Sequence, residues 1–171
     1  MLHCLPVTID PLHLAEVGST LCGRLGLHRM ARLRPSLYKA EGEVEIALEF
    51  GKDSEGYSCL TGQLMASVQV VCQRCLQPMQ LSVEGDIRLG LVSSAEAAAQ
   101  LPAYYEPLIV TEKAMSLAEI IEDELILALP ISPIHSQDVC LAGSAFEHEQ
   151  APPYSRPFDA LSVLKHSHRT D

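Results

Sequence analysis

Two cysteines with two residues between them, Cys72 and Cys75 in VVCQRCLQPM, offer the first chemistry in this sequence. Thiols at that spacing bind metals or exchange disulfides. A redox dithiol belongs at the N-terminus of a helix that follows a strand, where the helix dipole lowers the thiol pKa. This pair instead lies between two stretches of strand-like alternation. A zinc site needs two more ligands, and PISPIHSQDVC supplies His135 and Cys140 with four residues between them. Together the four would form a Cys3His set, a common structural zinc pattern. Spacing leaves a third reading open, in which the thiols are small half-buried residues and His135 is a surface loop residue.

Two charged groups are further candidates. Glu119, Glu122, Asp123 and Glu124 fall in the first turns of an expected helix, where the dipole favours carboxylates. They read as a solvated face, with docking of a partner protein as the rival use. Arg24, Arg29, Arg32, Arg34 and Lys39, with His28 among them, hold five of the twelve Lys and Arg residues. In an acidic chain that segregation marks a candidate RNA-facing strip. Tyr38 is the one aromatic beside it, so base stacking is not supported. No Ser–His–Asp order, phosphate-cradling glycine loop or paired-metal carboxylate pattern is visible, so no residue is assigned a catalytic role and a non-enzymatic protein is expected.

Elements must position these groups. The chain has 171 residues, 47% of them apolar, enough for one domain with a real core. Tryptophan is absent, so that core is aliphatic. The net charge of −10 excludes a protein that grips nucleic acid with its whole surface. The start lacks a signal-peptide pattern, no apolar run reaches membrane-spanning length, and six scattered cysteines fit a reducing cytoplasm.

Segments LPVTI and 19–27 read as strands, the first ending in a turn at Asp10-Pro11, and 28–37 as a short helix interrupted near Pro35. GEVEIALEF alternates Val44, Ile46, Leu48 and Phe50 against Glu43, Glu45, Ala47 and Glu49. Two more long alternating runs, from Tyr57 and from Met79, complete an antiparallel meander with the thiols in its second connection. SSAEAAAQLP reads as a short helix and AYYEPLIV as extended. The main helix is SLAEIIEDELILAL, with Ser116 and Glu119 as a capping box and Pro130 as its stop. GSAFEHEQAPPYSRP reads as a linker, and PFDALSVLK places Phe158, Leu161 and Leu164 at helical spacing.

Taken in order, CQRCLQPM, LPAYYEPLIV, EIIEDELILALPISPIHSQDVC and PFDALSVLK resemble the YceD family, the large ribosomal RNA subunit accumulation proteins. The resemblance runs from about Glu43 to the C-terminus. It implies a bacterial cytoplasmic protein needed for accumulation of 23S rRNA, through its synthesis, processing or stability, and no known catalysis. Matched motif residues are Cys72, Arg74, Cys75, Glu122, Asp123, Glu124, Pro130, His135 and Cys140. Many relatives carry further cysteines just after Cys140, which favours a metal there; this chain has LAGS.

The expectation is therefore an α+β domain over 1–142, an antiparallel meander packed by one main buried helix, with a linker and a short docking helix over 143–171. Cys72, Cys75, His135 and Cys140 would hold one structural zinc. Arg24, Arg29, Arg32, Arg34 and Lys39 would meet 23S rRNA or its precursor. Glu119, Glu122, Asp123, Phe158, Leu161 and Leu164 would meet ribosome-assembly or rRNA-processing proteins. An RNA-processing enzyme and a thiol-based redox regulator are the alternatives from other classes.

Overall fold

A computed structural model describes residues 5–136 and 140. The expected linker and docking helix over 143–171 lie outside them. Strand β1 (Thr8–Ile9) leads into helix α1 (Pro11–Val17), then β2 (Thr20–Gly26). Strands β3 (Glu43–Lys52), β4 (Ser58–Val71) and β5 (Pro78–Val92) follow, then helix α2 (Ala95–Ala98), β6 (Glu106–Ile109), β7 (Met115–Ser116) and helix α3 (Leu117–Ala128). This is an α+β fold: a five-stranded sheet in the order β2-β3-β4-β5-β6, and a two-stranded sheet of β1 and β7.

The first four strands of the large sheet form the expected antiparallel meander. Alternation does the work, since Val44, Ile46, Leu48 and Phe50 are all buried while their neighbours face solvent. Strands β3 and β4 approach closely at Gly62, where a Cβ would sit 2.2 Å from the Ala47 carbonyl oxygen. Strand β6 departs from the meander by pairing parallel to β5. The crossover through α2 carries the chain back before it pairs, as parallel strands require.

Two further expectations are corrected. Asp10-Pro11 is not a turn but a helix start: the Asp10 carboxylate accepts from the His13 amide, Pro11 occupies the first turn, and Gly18 in the left-handed region ends α1. The segment after β2 is not an α-helix interrupted near Pro35. Two 3-10 turns (Leu27–Arg29 and Arg34–Ser36) fold it over the sheet, burying Leu27, Met30 and Leu33 completely. No helix among the described residues is long and apolar enough to cross a membrane.

Helix α3 matches its expected bounds. The Ser116 side chain accepts from the Glu119 amide, and Leu129, extended before Pro130, closes the far end. Leu117, Ile120, Ile121 and Leu125 enter the core, each worth about 2 kcal/mol of apolar burial. Between them Glu122 is 3% exposed, against its reading as part of a solvated, partner-facing surface. Its Oε1 accepts from the backbone amides of Arg32 at 2.6 Å and Leu33 at 2.9 Å. The Arg32 Nε lies 3.4 Å from its other oxygen. A buried carboxylate persists only when paired and hydrogen-bonded, and here it fastens the 27–37 segment to α3.

Glu122→Ala leaves two amides without an acceptor, at about 1–3 kcal/mol apiece. Chemical denaturation is expected to show a loss of about 3 kcal/mol. Glu122→Gln keeps an oxygen for both amides and should cost about 1 kcal/mol. Equal losses from the two variants would reject this role.

Candidate metal centre

The β4–β5 hairpin ends at the Val71–Pro78 pair, and Cys72 to Gln77 make its turn. The Cys72 amide donates to the Gln77 carbonyl at 2.9 Å, and the Leu76 amide donates back to the Cys72 carbonyl at 2.9 Å. Leu76 adopts a φ of 59°, a left-handed conformation that a leucine enters at a cost of roughly 1–2 kcal/mol. The turn so formed aims both thiols at one point.

The segment after α3 supplies the other half. Pro130 ends the helix and the chain runs back along the hairpin, where the Gln73 amide donates to the Pro133 carbonyl at 2.8 Å. His135 and Cys140 are thereby brought to the turn. The donor atoms of Cys72, Cys75, His135 and Cys140 all lie within 4.8 Å of one another and could bind a metal. Cys72 and Cys140 are buried, and Cys75 and His135 half-buried.

The spacing suits a tetrahedral ion. Zinc–sulfur bonds of about 2.3 Å imply sulfur–sulfur edges of roughly 3.8 Å; Cys72 Sγ and Cys140 Sγ stand 3.7 Å apart. Cys75 Sγ lies 3.3 Å from His135 Nδ1, near the shorter edge expected with a nitrogen ligand. A disulfide requires about 2.05 Å, so these cysteines are free thiols here.

The electrostatics of the cluster favour an anion at one sulfur and resist a second. Burial pushes the Cys72 thiol up, but the backbone amides of Cys75, His135 and Arg74 outweigh it and bring the pKa down from 9.0 to about 5. For Cys75 the Gln77 amide pulls the pKa down, while burial and hydrogen bonds with the Cys140 and Cys72 sulfurs carry it above its ordinary value. Crowded sulfurs of this kind are relieved by a divalent cation, to which several thiolates can bind together.

Arg74 completes the arrangement. Its Nε donates to Cys140 Sγ at 2.9 Å and its guanidinium donates to the His135 carbonyl at 3.1 Å. That sulfur contact raises the arginine pKa further. Arg74 thus orients two of the four donors from outside the cluster, the kind of support that metal ligands commonly have. Its signal in the sequence was a cation set between two metal-spaced thiols.

The other candidate residues lie elsewhere. Arg24 pairs with Glu45 and Arg32 with Asp123. Among the described residues Arg29, Arg34 and Lys39 are exposed and have no carboxylate partner. On α3, Glu119 and Asp123 are exposed, Glu122 is buried as described, and Glu124 is raised by burial first and then by Glu106 and Asp123. Phe158, Leu161 and Leu164 lie outside the described residues.

No solved structure matches the chain. A relative from Haemophilus influenzae, the large ribosomal RNA subunit accumulation protein YceD, is 31% identical over 168 residues, covering 94% of this chain and 96% of its own. The model of the family described as large ribosomal RNA subunit accumulation protein YceD matches residues 60–165, a span holding the thiol turn, α3 and the loop behind it. The chain belongs to the YceD family of large ribosomal RNA subunit accumulation proteins.

Proposed function

We propose that this chain is a non-catalytic cytoplasmic factor that supports accumulation of large-subunit (23S) rRNA, working with ribosome-assembly or rRNA-processing proteins. The observation that carries this reading is the nearly end-to-end match to a relative named for large ribosomal RNA subunit accumulation. Cys72, Cys75, His135 and Cys140 hold one structural zinc in this reading. Four protein donors fill a tetrahedral shell and leave no position for a substrate, as in structural rather than catalytic zinc sites. The ion supplies a cross-link between the hairpin turn and the segment behind α3.

RNA contact in this proposal narrows to Arg29, Arg34 and Lys39, the exposed cations of the strip without carboxylate partners. Their small number suits a local contact by a chain of net charge −10. Glu119, with Asp123 where it is not engaged by Arg32, supplies the described acidic contact for a protein partner.

Three measurements test the proposal. Protein purified under reducing conditions without chelator is expected to carry about one zinc per chain; Cys75→Ser should lose it. Chelation should lower the melting temperature by about 10 °C, as loss of a ligand held far above its Kd would. Metal-free protein of unchanged stability would reject the zinc. In the native host, deleting the gene should lower the ratio of large- to small-subunit rRNA, and the wild-type copy should restore it; an unchanged ratio would sink the function. Arg29→Glu with Arg34→Glu should weaken binding to a large-subunit rRNA fragment at least tenfold and flatten its log–log salt slope by about 2. Identical slopes would assign the contact to a protein partner instead.

A further inference from the structure

A groove of about 380 Å³ with a mixed lining runs beside the Cys/His cluster, between the 27–37 segment and the C-terminal end of α3. Its floor is Val71 of β4 and Leu81 of β5, and its walls include Leu37, Ile126, Leu129 and Ile131. Ile131 is fully exposed at 104%, an unusual state for an apolar side chain that lines a depression. The volume lies in the lower part of the range of small-molecule pockets, so it takes a few side chains and no more. The last turn of α3 opens toward this groove with no basic residue to meet its carbonyl oxygens.

The chain itself holds a segment that fits. Cys140, the last described residue, is 3% exposed with its Sγ 3.7 Å from Cys72, whose neighbours Val71 and Gln73 line the groove. Thirty-one residues follow it. Among them PFDALSVLK places Phe158, Leu161 and Leu164 on one face at helical spacing, followed by Lys165 and Arg169. Residues 141–157 span about 56 Å fully extended and average roughly 23 Å as a coil, ample for a groove that begins beside Cys140. Tethering at that length gives an effective concentration near millimolar, so even a weak apolar contact is occupied.

We propose that this groove is the seat of the chain's own segment 157–165, which docks as a helix with Phe158, Leu161 and Leu164 inward. Lys165 then approaches the carbonyl end of α3. The docked segment covers Ile131.

Amide hydrogen exchange on the full-length protein tests this at two concentrations a hundredfold apart. Residues 157–165 are expected to exchange at least tenfold more slowly than an unstructured chain, equally at both concentrations. Leu161→Asp should return them to the unstructured rate and also speed exchange around 126–134. Ile131→Asp, a change at a fully exposed position that leaves the melting temperature in place, should free the segment in the same way. Unstructured rates in the wild type, or protection that survives Ile131→Asp, would overturn the proposal. Protection that appears only at the higher concentration would make the occupant a second copy and overturn it equally.

Discussion

One face of the meander is apolar, and it has to be covered by pieces that cannot stand alone. Seven residues of α1, an irregular stretch from 27 to 37 and twelve residues of α3 provide the cover. Isolated helices of those lengths are marginal in water. Each piece is ordered by the sheet and by its neighbours, so the links between pieces carry more weight than any local propensity. Glu122 is one such link, joining α3 to Arg32 and Leu33 across about ninety residues of chain. The cysteine cluster is another, joining the exit of α3 to the tip of the longest hairpin.

The two links differ in chemistry for a physical reason. Glu122 is enclosed, so a carboxylate with backbone donors can be fully satisfied there without solvent. The hairpin tip is half-open, and apolar packing at such a site has little area to bury. Four donors around one point concentrate binding energy in a small volume, which suits a place where a core cannot reach. Arg74 lies at the boundary, an exposed residue whose guanidinium bonds both the Cys140 sulfur and the His135 carbonyl.

Much of the fold was legible in the sequence because strict alternation over β3 to β5 has few other interpretations. Helix α3 announced itself through Ser116, its apolar spacing and Pro130. The Cys/His cluster was legible as residue types, with His135 and Cys140 the matching half of Cys72 and Cys75, although only the folded chain shows that they meet. Helix α1 was misread because its cap, first-turn proline and terminating glycine span so few residues that a turn explains most of them. The 27–37 segment was misread because Met30 and Leu33 keep helical spacing while answering to a sheet below them. Burial of Glu122 had no local signal at all. Its partners are backbone amides far away in sequence, and its neighbours Glu119, Asp123 and Glu124 gave it the look of a surface residue.

The cluster joins residues 60 and 68 positions apart, and its second half comes near the end of the described chain. Synthesis therefore delivers the Cys72–Cys75 turn and the hairpin well before the residues that complete it. For that interval the two thiols are an open clasp. Closure waits until Cys140 has emerged, by which time every strand of the sheet and α3 are already in hand. A chain that stops short of that point keeps its hairpins and the core contacts of α3 but lacks the cross-link from the segment behind α3 to the hairpin tip. The clasp in effect separates a finished molecule from an interrupted one.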